Sequence, residues 1–378
     1  MSKLLQALAL AGAMISCASV TAAQTPGAFV EAPGGKLWYE TCGSGPQAMV
    51  LIHDGVLHSA AWDDVWPALC RSFRVVRYDR RGYGRSPEAQ APYSPLDDLQ
   101  AVMGAAEIKH AVLVGASNGG GLAVDFTLAH PGEVDRLVLV GPEVTGVQHS
   151  RYFIGRLVEL QGRLARGDVA GALRNSWAFA PGDDANMARL LKLEAANPQD
   201  MQHKDPALPL PPAVGRLGEI RAPTLLVVGE SDQPDNHASA GVVEHAIPGA
   251  TRVVVPGAGH LVYMAKPAEF SELVTRFAEN LPSPGTEEAL RRVIGEFQRG
   301  EPDYSRMSAY LGGVVRSQIG AIKHLQAANG PLKSITFKGP GGDGDDVFVV
   351  AYEHSTGEVR IALDAEGRIM DLRPGRAP

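Results

Sequence analysis

The apolar run Ala111-Val112-Leu113-Val114 leads into Gly115-Ala116-Ser117-Asn118-Gly119, and Gly120 to Phe126 follows with a helix-like pattern. A strand that becomes a helix within five residues leaves the turn little freedom, and this turn carries a serine between two glycines. The glycines let neighbouring chain approach closely, and the strained apex holds its side chain up from the sheet. A hydroxyl so placed is a nucleophile in waiting. It is weak alone, so a base and an acid must come from elsewhere in the chain.

The same grammar runs along the first two thirds of the sequence. Lys36 to Thr41 and Ala48 to Ile52 read as strands joined by a Gly-Ser-Gly-Pro turn. Trp62 to Ser72 reads as a helix, Arg74 to Tyr78 as a strand and Leu96 to Ala105 as a helix. Leu137 to Val140, Thr224 to Val228 and Arg252 to Val255 are further apolar strands. Strands alternating with helices predict an α/β fold, a mostly parallel sheet covered on both faces. Between Gly141 and Glu219 the strands stop. Tyr152 to Arg166, Val169 to Trp177 and Ala185 to Ala196 look helical, and Asp205 to Pro212 is proline-rich. Residues of about 142–218 therefore form a helical cap, expected over the strand ends where it would shape a pocket. Residues 282–285 read as a linker. Beyond it, Thr286-Glu287-Glu288 caps a helix to Gln298, and Tyr304 to Ala328 holds one or two more. Four strand-like runs follow: Ser334 to Lys338, Val347 to His354, Val359 to Leu363 and Ile369 to Leu372. Helices followed by a meander make residues 286–378 a second, α+β domain.

The 378 residues leave room for two domains, and a net charge of −7 argues against a nucleic-acid partner. Residues 1–23 have the pattern of a signal peptide: Lys3, an apolar Leu4 to Ile15, and small residues at Thr21-Ala22-Ala23. The apolar run is too short for a membrane span. Secretion or a periplasmic location is the expectation for the 24–281 and 286–378 domains; lipid anchoring at Cys17 is the lesser alternative. Cys42 and Cys70 then remain. An oxidising compartment would permit a disulfide between them, but the simpler reading is two independent small apolar residues. No Cys/His spacing suggests zinc, and no cofactor is called for.

Several motifs besides the serine turn resemble those of the α/β-hydrolases. Val50-Leu51-Ile52-His53-Asp54-Gly55 is similar to that family's strand ending in a His-Gly oxyanion turn. Tyr78 to Ser86 resembles its Asp-x-Arg-Gly-x-Gly-x-Ser segment. Thr224 to Asp232 matches the strand and turn bearing the acid, and Pro256-Gly257-Ala258-Gly259-His260 the histidine loop. The resemblance implies Ser117 as nucleophile, His260 as base and Asp232 as the acid orienting it, with Asp235 the rival carboxylate. It places the oxyanion donors at the N–H groups of Asn118 and Gly55. Asp54 stands at the usual glycine, is the rival donor to Gly55, and puts a carboxylate where a developing anion would not want one. His53 and the Asp79-Arg80-Arg81 stretch read as structural, and Trp177 is a candidate lining residue of the pocket. Serine at the turn implies an acyl-enzyme formed from a small carboxylic ester or lactone. Carbon–carbon bond hydrolysis or haloperoxidase-like perhydrolysis on the same triad is the first rival, and a non-catalytic binding protein the second. The C-terminal domain loosely resembles ketosteroid-isomerase-like or cystatin-like accessory domains of secreted serine hydrolases, with self-association or ligand contact as its implied part. Gly341 to Asp346 fits half of a calcium-binding repeat, but such repeats work in arrays, so a flexible loop is expected.

Overall fold

A computed structural model describes residues 24–174, 176–198, 205–341, 345–364 and 366–375. Residues 1–23, read above as a signal peptide and containing Cys17, lie outside them.

Eight strands form one sheet: β1 (Gln24–Ala32), β2 (Gly35–Cys42), β3 (Ala48–Ile52), β4 (Arg74–Tyr78), β5 (Ala111–Ala116), β6 (Val134–Val140), β7 (Thr224–Gly229) and β8 (Thr251–Val255). Their order is β1-β2-β4-β3-β5-β6-β7-β8. β1 and β2 join antiparallel at one edge; all pairings from β4 to β8 are parallel. In β3, β5 and β7 every residue is buried. Alternate residues divide between two cores. Met49, Leu51, Val112 and Val114 face one, with Trp62, Tyr263 and Phe270; Val50, Ile52 and Leu113 face the other, with Leu99 and Phe126. A period of two across a sheet covered on both sides produces this division, and it is why the strands read as unbroken apolar runs.

The helices follow in chain order. α1 (Trp66–Ser72), α2 (Pro95–Ala105) and α3 (Asn118–Ala129) alternate with the early strands, and α4 (Arg151–Ala165), α5 (Val169–Arg174) and α6 (Asp184–Ala196) make the insertion between β6 and β7. α7 (Pro234–Ala246), α8 (Val262–Ala265) and α9 (Pro267–Glu279) complete the unit. The helix expected from Trp62 is a 3-10 turn at Ser59–Trp62 followed by α1, which begins beside Pro67. The helix expected to reach Trp177 ends at Arg174. β1 had no legible pattern, because Pro26 and Gly27 interrupt it and it sits at an edge.

Cys42, at the end of β2, is disulfide-bonded to Cys70 in α1, with Cα atoms 5.5 Å apart. The two are therefore not the independent apolar residues expected. Their separation of 28 positions gave no hint, because only the β2–β4 pairing brings the end of β2 alongside α1.

The C-terminal sheet is antiparallel, in the order β12-β11-β10-β9, from β9 (Leu332–Pro340), β10 (Asp346–Tyr352), β11 (Thr356–Leu363) and β12 (Ile369–Pro374). Two helices, α10 (Thr286–Arg299) and α11 (Ala309–Asn329), precede it. Leu290, Val293 and Phe297 of α10 pack on Phe348, Val350 and Ile361 in a third core. Thr286 does not cap α10. Gly285, left-handed at φ 79°, precedes the helix, and the Thr286 hydroxyl donates to the carbonyl of Ser283 and to Asp346. Asp345 and Asp346, expected in a flexible loop, are both buried. Asp345 pairs with Arg360 at 2.7 Å, and Asp346 receives Arg276 of α9 at 3.3 Å; Gly342 to Gly344 lie outside the described residues. No described helix is long and apolar enough to cross a membrane.

Candidate active site

Ser117 is the hinge between β5 and α3, at φ 51° and ψ −118°. Such a backbone is strained for a residue with a Cβ, by about 1–3 kcal/mol, and persists only where its surroundings fix it. Here they do. The Ser117 N–H donates to Val140 at 2.9 Å, and its carbonyl accepts from Gly121 and Glu143, each at 3.0 Å. The glycine at 119 is obligatory: a Cβ there would meet the carbonyl oxygen of His53 at 2.3 Å.

Asp232 and His260 arrive on the turns after β7 and β8. His260 Nδ1 lies 2.8 Å from Asp232 Oδ2. The other carboxylate oxygen accepts from the N–H of Gln233 and from Asn236 Nδ2, both at 2.7 Å. Nδ1 thus donates its proton to Asp232, and Nε2 is left as the basic nitrogen. The His260 N–H donates to the Trp177 carbonyl at 2.9 Å, so the chain after α5 holds the histidine loop. Burial pulls the His260 pKa down, but the charge and hydrogen bond of Asp232, with help from Asp54 and Glu143, outweigh it. The net direction is up. Asp235 is not the partner: its carboxylate accepts from the N–H and hydroxyl of Ser150, at 2.5 and 2.7 Å, at the start of α4. Asn236 was not foreseen. Its only sequence signal is a spacing of four from Asp232, which puts it on the first turn of α7.

The turn expected to carry an oxyanion donor follows β3. His53 Nδ1 donates to the Asp54 carbonyl at 2.7 Å, and Arg80 Nη1 reaches the same oxygen at 3.3 Å. His53 Nε2 accepts from the Arg80 N–H at 2.9 Å, which fixes the neutral tautomer and the structural part expected of His53. A peptide group is planar and trans, so anchoring the carbonyl of residue 54 aims the N–H of Gly55 the opposite way. The Gly55 carbonyl accepts from Tyr83 at 3.2 Å. Asn118 opens α3, so its N–H has no partner within the helix. The Asp54 carboxylate is held by its own turn and by the histidine loop. Its Oδ1 accepts from Val56 at 2.6 Å and Leu57 at 3.0 Å, and its Oδ2 from the Tyr263 hydroxyl at 2.6 Å. Asp79 and Arg81 also lie in buried networks: Asp79 accepts from the N–H groups of Ser59 and Arg85, and Arg81 pairs with Asp98 at 2.6 Å.

A model of the alpha/beta hydrolase fold matches residues 47–267. The chain belongs to the α/β-hydrolase family. It is 26 % identical over 243 residues to the pimeloyl-[acyl-carrier protein] methyl ester esterase of Nitrosomonas europaea, covering 61 % of this chain and 95 % of that enzyme. It is 28 % identical over 228 residues to a 2-hydroxy-6-oxononadienedioate/2-hydroxy-6-oxononatrienedioate hydrolase of Paraburkholderia xenovorans, covering 52 % of this chain and 75 % of that one. Among solved structures it resembles Est816, described as an N-acyl homoserine lactone degrading enzyme. That match has a TM-score of 0.55 and 27 % identity, over 66 % of this chain and all of that one.

Ser117, Asn118, Gly55 and His260 of this α/β-hydrolase open onto one cavity of about 350 Å³. One wall comes from the cap, with Phe153, Leu157, Leu160 and Leu164 of α4, Leu173 of α5 and Trp177. Trp177 therefore lines the pocket as well as holding His260 through its carbonyl. Beside the serine turn the lining is polar: Asn118 Nδ2 donates to Glu143 at 2.8 Å. Neither Glu143 nor His149, which stacks on Phe153 at 4.2 Å, carried a sequence signal.

Proposed function

We propose that this hydrolase cleaves a small carboxylic ester or lactone through an acyl intermediate on Ser117. The observation that carries the reading is the His260–Asp232 bond of 2.8 Å on a cavity shared with a strained Ser117, Asn118 and Gly55. His260 Nε2 takes the serine proton as Oγ attacks the carbonyl carbon. The resulting oxyanion is met by the N–H groups of Asn118 and Gly55, each such donor being worth about 10²–10³ in rate. Collapse expels the alcohol, which receives the proton from His260. Water, deprotonated by the same nitrogen, then releases the acid. Asp232 orients the ring and stabilises its cationic form, and no step needs a cofactor. The leucine-rich cap wall supports an apolar acyl group. The ester and lactone activities named for the esterase and Est816 relatives support the same chemistry. A second reading, hydrolysis of a carbon–carbon bond beside a ketone, draws on the oxononadienedioate hydrolase relative.

Turnover of an acyl series of chromogenic esters, set beside diketone substrates and compared with Ser117→Ala, tests both. Ester turnover lost in the variant supports the first; diketone cleavage with inert esters favours the second; native rates in Ser117→Ala sink both. We also propose that residues 1–23 are a cleaved leader and that the mature chain works outside the cytoplasm, a reading the Cys42–Cys70 disulfide supports. Mass spectrometry of the mature N-terminus, expected at Gln24, checks it. The C-terminal α+β unit is proposed as an accessory domain for self-association or ligand contact.

A further inference from the structure

We propose that Asp54 and Tyr263 form a clasp that holds the Gly55 amide at a fixed distance from His260, making both of them positioning residues. The proposal rests on the hydrolytic reading of Ser117, His260 and Gly55.

The oxyanion turn and the histidine loop come from chain segments 209 residues apart, and the Tyr263–Asp54 bond of 2.6 Å joins them directly. Asp54 is only 1 % exposed. A buried carboxylate is costly unless its lone pairs are met, and this one is met on both oxygens. Oδ1 takes the Val56 and Leu57 amides, shaping the turn that presents Gly55; Oδ2 takes Tyr263. Tyr263 follows His260 by three residues at the start of α8. Its ring is fully buried, stacked on Trp62 at 4.0 Å and tilted against Phe270 at 6.0 Å. A rigid ring on one side and a two-amide turn on the other leave the hydroxyl–carboxylate bond little slack.

The clasp also carries charge. Burial, then Asp54, pushes the Tyr263 phenol well above its ordinary range, so the phenol remains the donor. His260 is faced by Asp232 from the turn after β7, Asp54 from the turn after β3 and Glu143 after β6, and Asp54 contributes to its raised basicity. Asp54 itself is faced by Tyr263, by His53 and Arg80 at its carbonyl, and by the more distant His58 on its own turn, whose net direction is down through burial.

Tyr263→Phe and Asp54→Asn in the full-length protein test the clasp. The first keeps the ring on Trp62 and removes the hydroxyl. The second keeps an acceptor for the two amides and removes the charge. Both are expected to lower kcat on a reactive ester by about tenfold or more with KM within about twofold, because misaimed donors are felt in the transition state. Asp54→Asn should in addition move the acid limb of kcat/KM to lower pH, and the double variant should be no worse than the worse single one. Variants that melt earlier but keep the native kcat and acid limb would overturn the proposal. If Asp54→Asn does not fold, Tyr263→Phe decides alone through kcat. A native protein that neither turns over esters nor labels with a fluorophosphonate refutes the hydrolytic reading, and the clasp with it.

Discussion

In the proposed mechanism His260 must be neutral to accept the Ser117 proton, and its surroundings favour the cation. The acid limb of kcat/KM is therefore expected above about pH 6.5, the ordinary imidazole value. A limb at or below 6 would contradict the arrangement. Glu143→Gln removes one of the three carboxylates and should move that limb down without abolishing turnover. The linkage runs the other way for stability. A histidine whose folded pKa is raised contributes stability that is complete below its unfolded value and lost as pH rises through the folded one, so activity and this contribution change in opposite directions. Asp125 in α3 is a separate case. Burial pushes it up to about 6, against the Thr145 bond and Arg216. Its ionised form therefore opposes folding above that value, a penalty absent below about 4. Asp125→Asn should raise Tm at pH 7.5 and leave it nearly unchanged at pH 4. An equal change at both values would mean that the charge is not the cause.

At the scale of elements, the proposed reading makes α4 the wall that selects the acyl group. Its Leu157, Leu160 and Leu164 face the cavity that Ser117 opens onto. Each methylene buried there is worth about 0.8 kcal/mol, or roughly fourfold in kcat/KM, until the volume is filled. Leu160→Trp fills that volume and should cut turnover of hexanoyl and longer esters while sparing acetyl esters. An unchanged chain-length profile would place the acyl group elsewhere. Element positions were largely legible. The buried strands β3, β5 and β7 are continuous apolar runs, and α2, α4, α6 and α10 lie within a residue or two of their expected spans. The exceptions are physical. β1 gains its pairing from β2 rather than from its own pattern. α5 stops before Trp177 so that this carbonyl and that of Ala178 can take the N–H groups of His260 and Leu261.

For the whole molecule, the joints matter most. The disulfide ties the antiparallel edge to α1 across 28 positions, a loop for which chain entropy gives about 3–4 kcal/mol. Reduction, or Cys42→Ala with Cys70→Ala, should lower Tm by several degrees. An unchanged melt would show that the bond does not form in solution. Between the two sheets, buried Asp346 of β10 receives the Ser283 hydroxyl at 3.2 Å, Thr286 and Arg276. Asp346→Ala leaves the buried Thr286 hydroxyl without that acceptor. It should make residues 282–285 the first site of limited proteolysis, with Ser117 labelling retained.

Residue types and their order determined that a serine turn, a carboxylate and a histidine each follow a strand, because strand and turn signals are local. They also determined the α/β layering and the separate C-terminal unit. Only the tertiary structure decided among neighbours. Asp232 rather than Asp235 meets His260, because α7 turns Asp235 toward Ser150. The Asp54 carboxylate meets Tyr263, and Cys42 meets Cys70. Each is a contact between segments distant in sequence, fixed by how the sheet and its helices close on one another, and no local pattern encodes it.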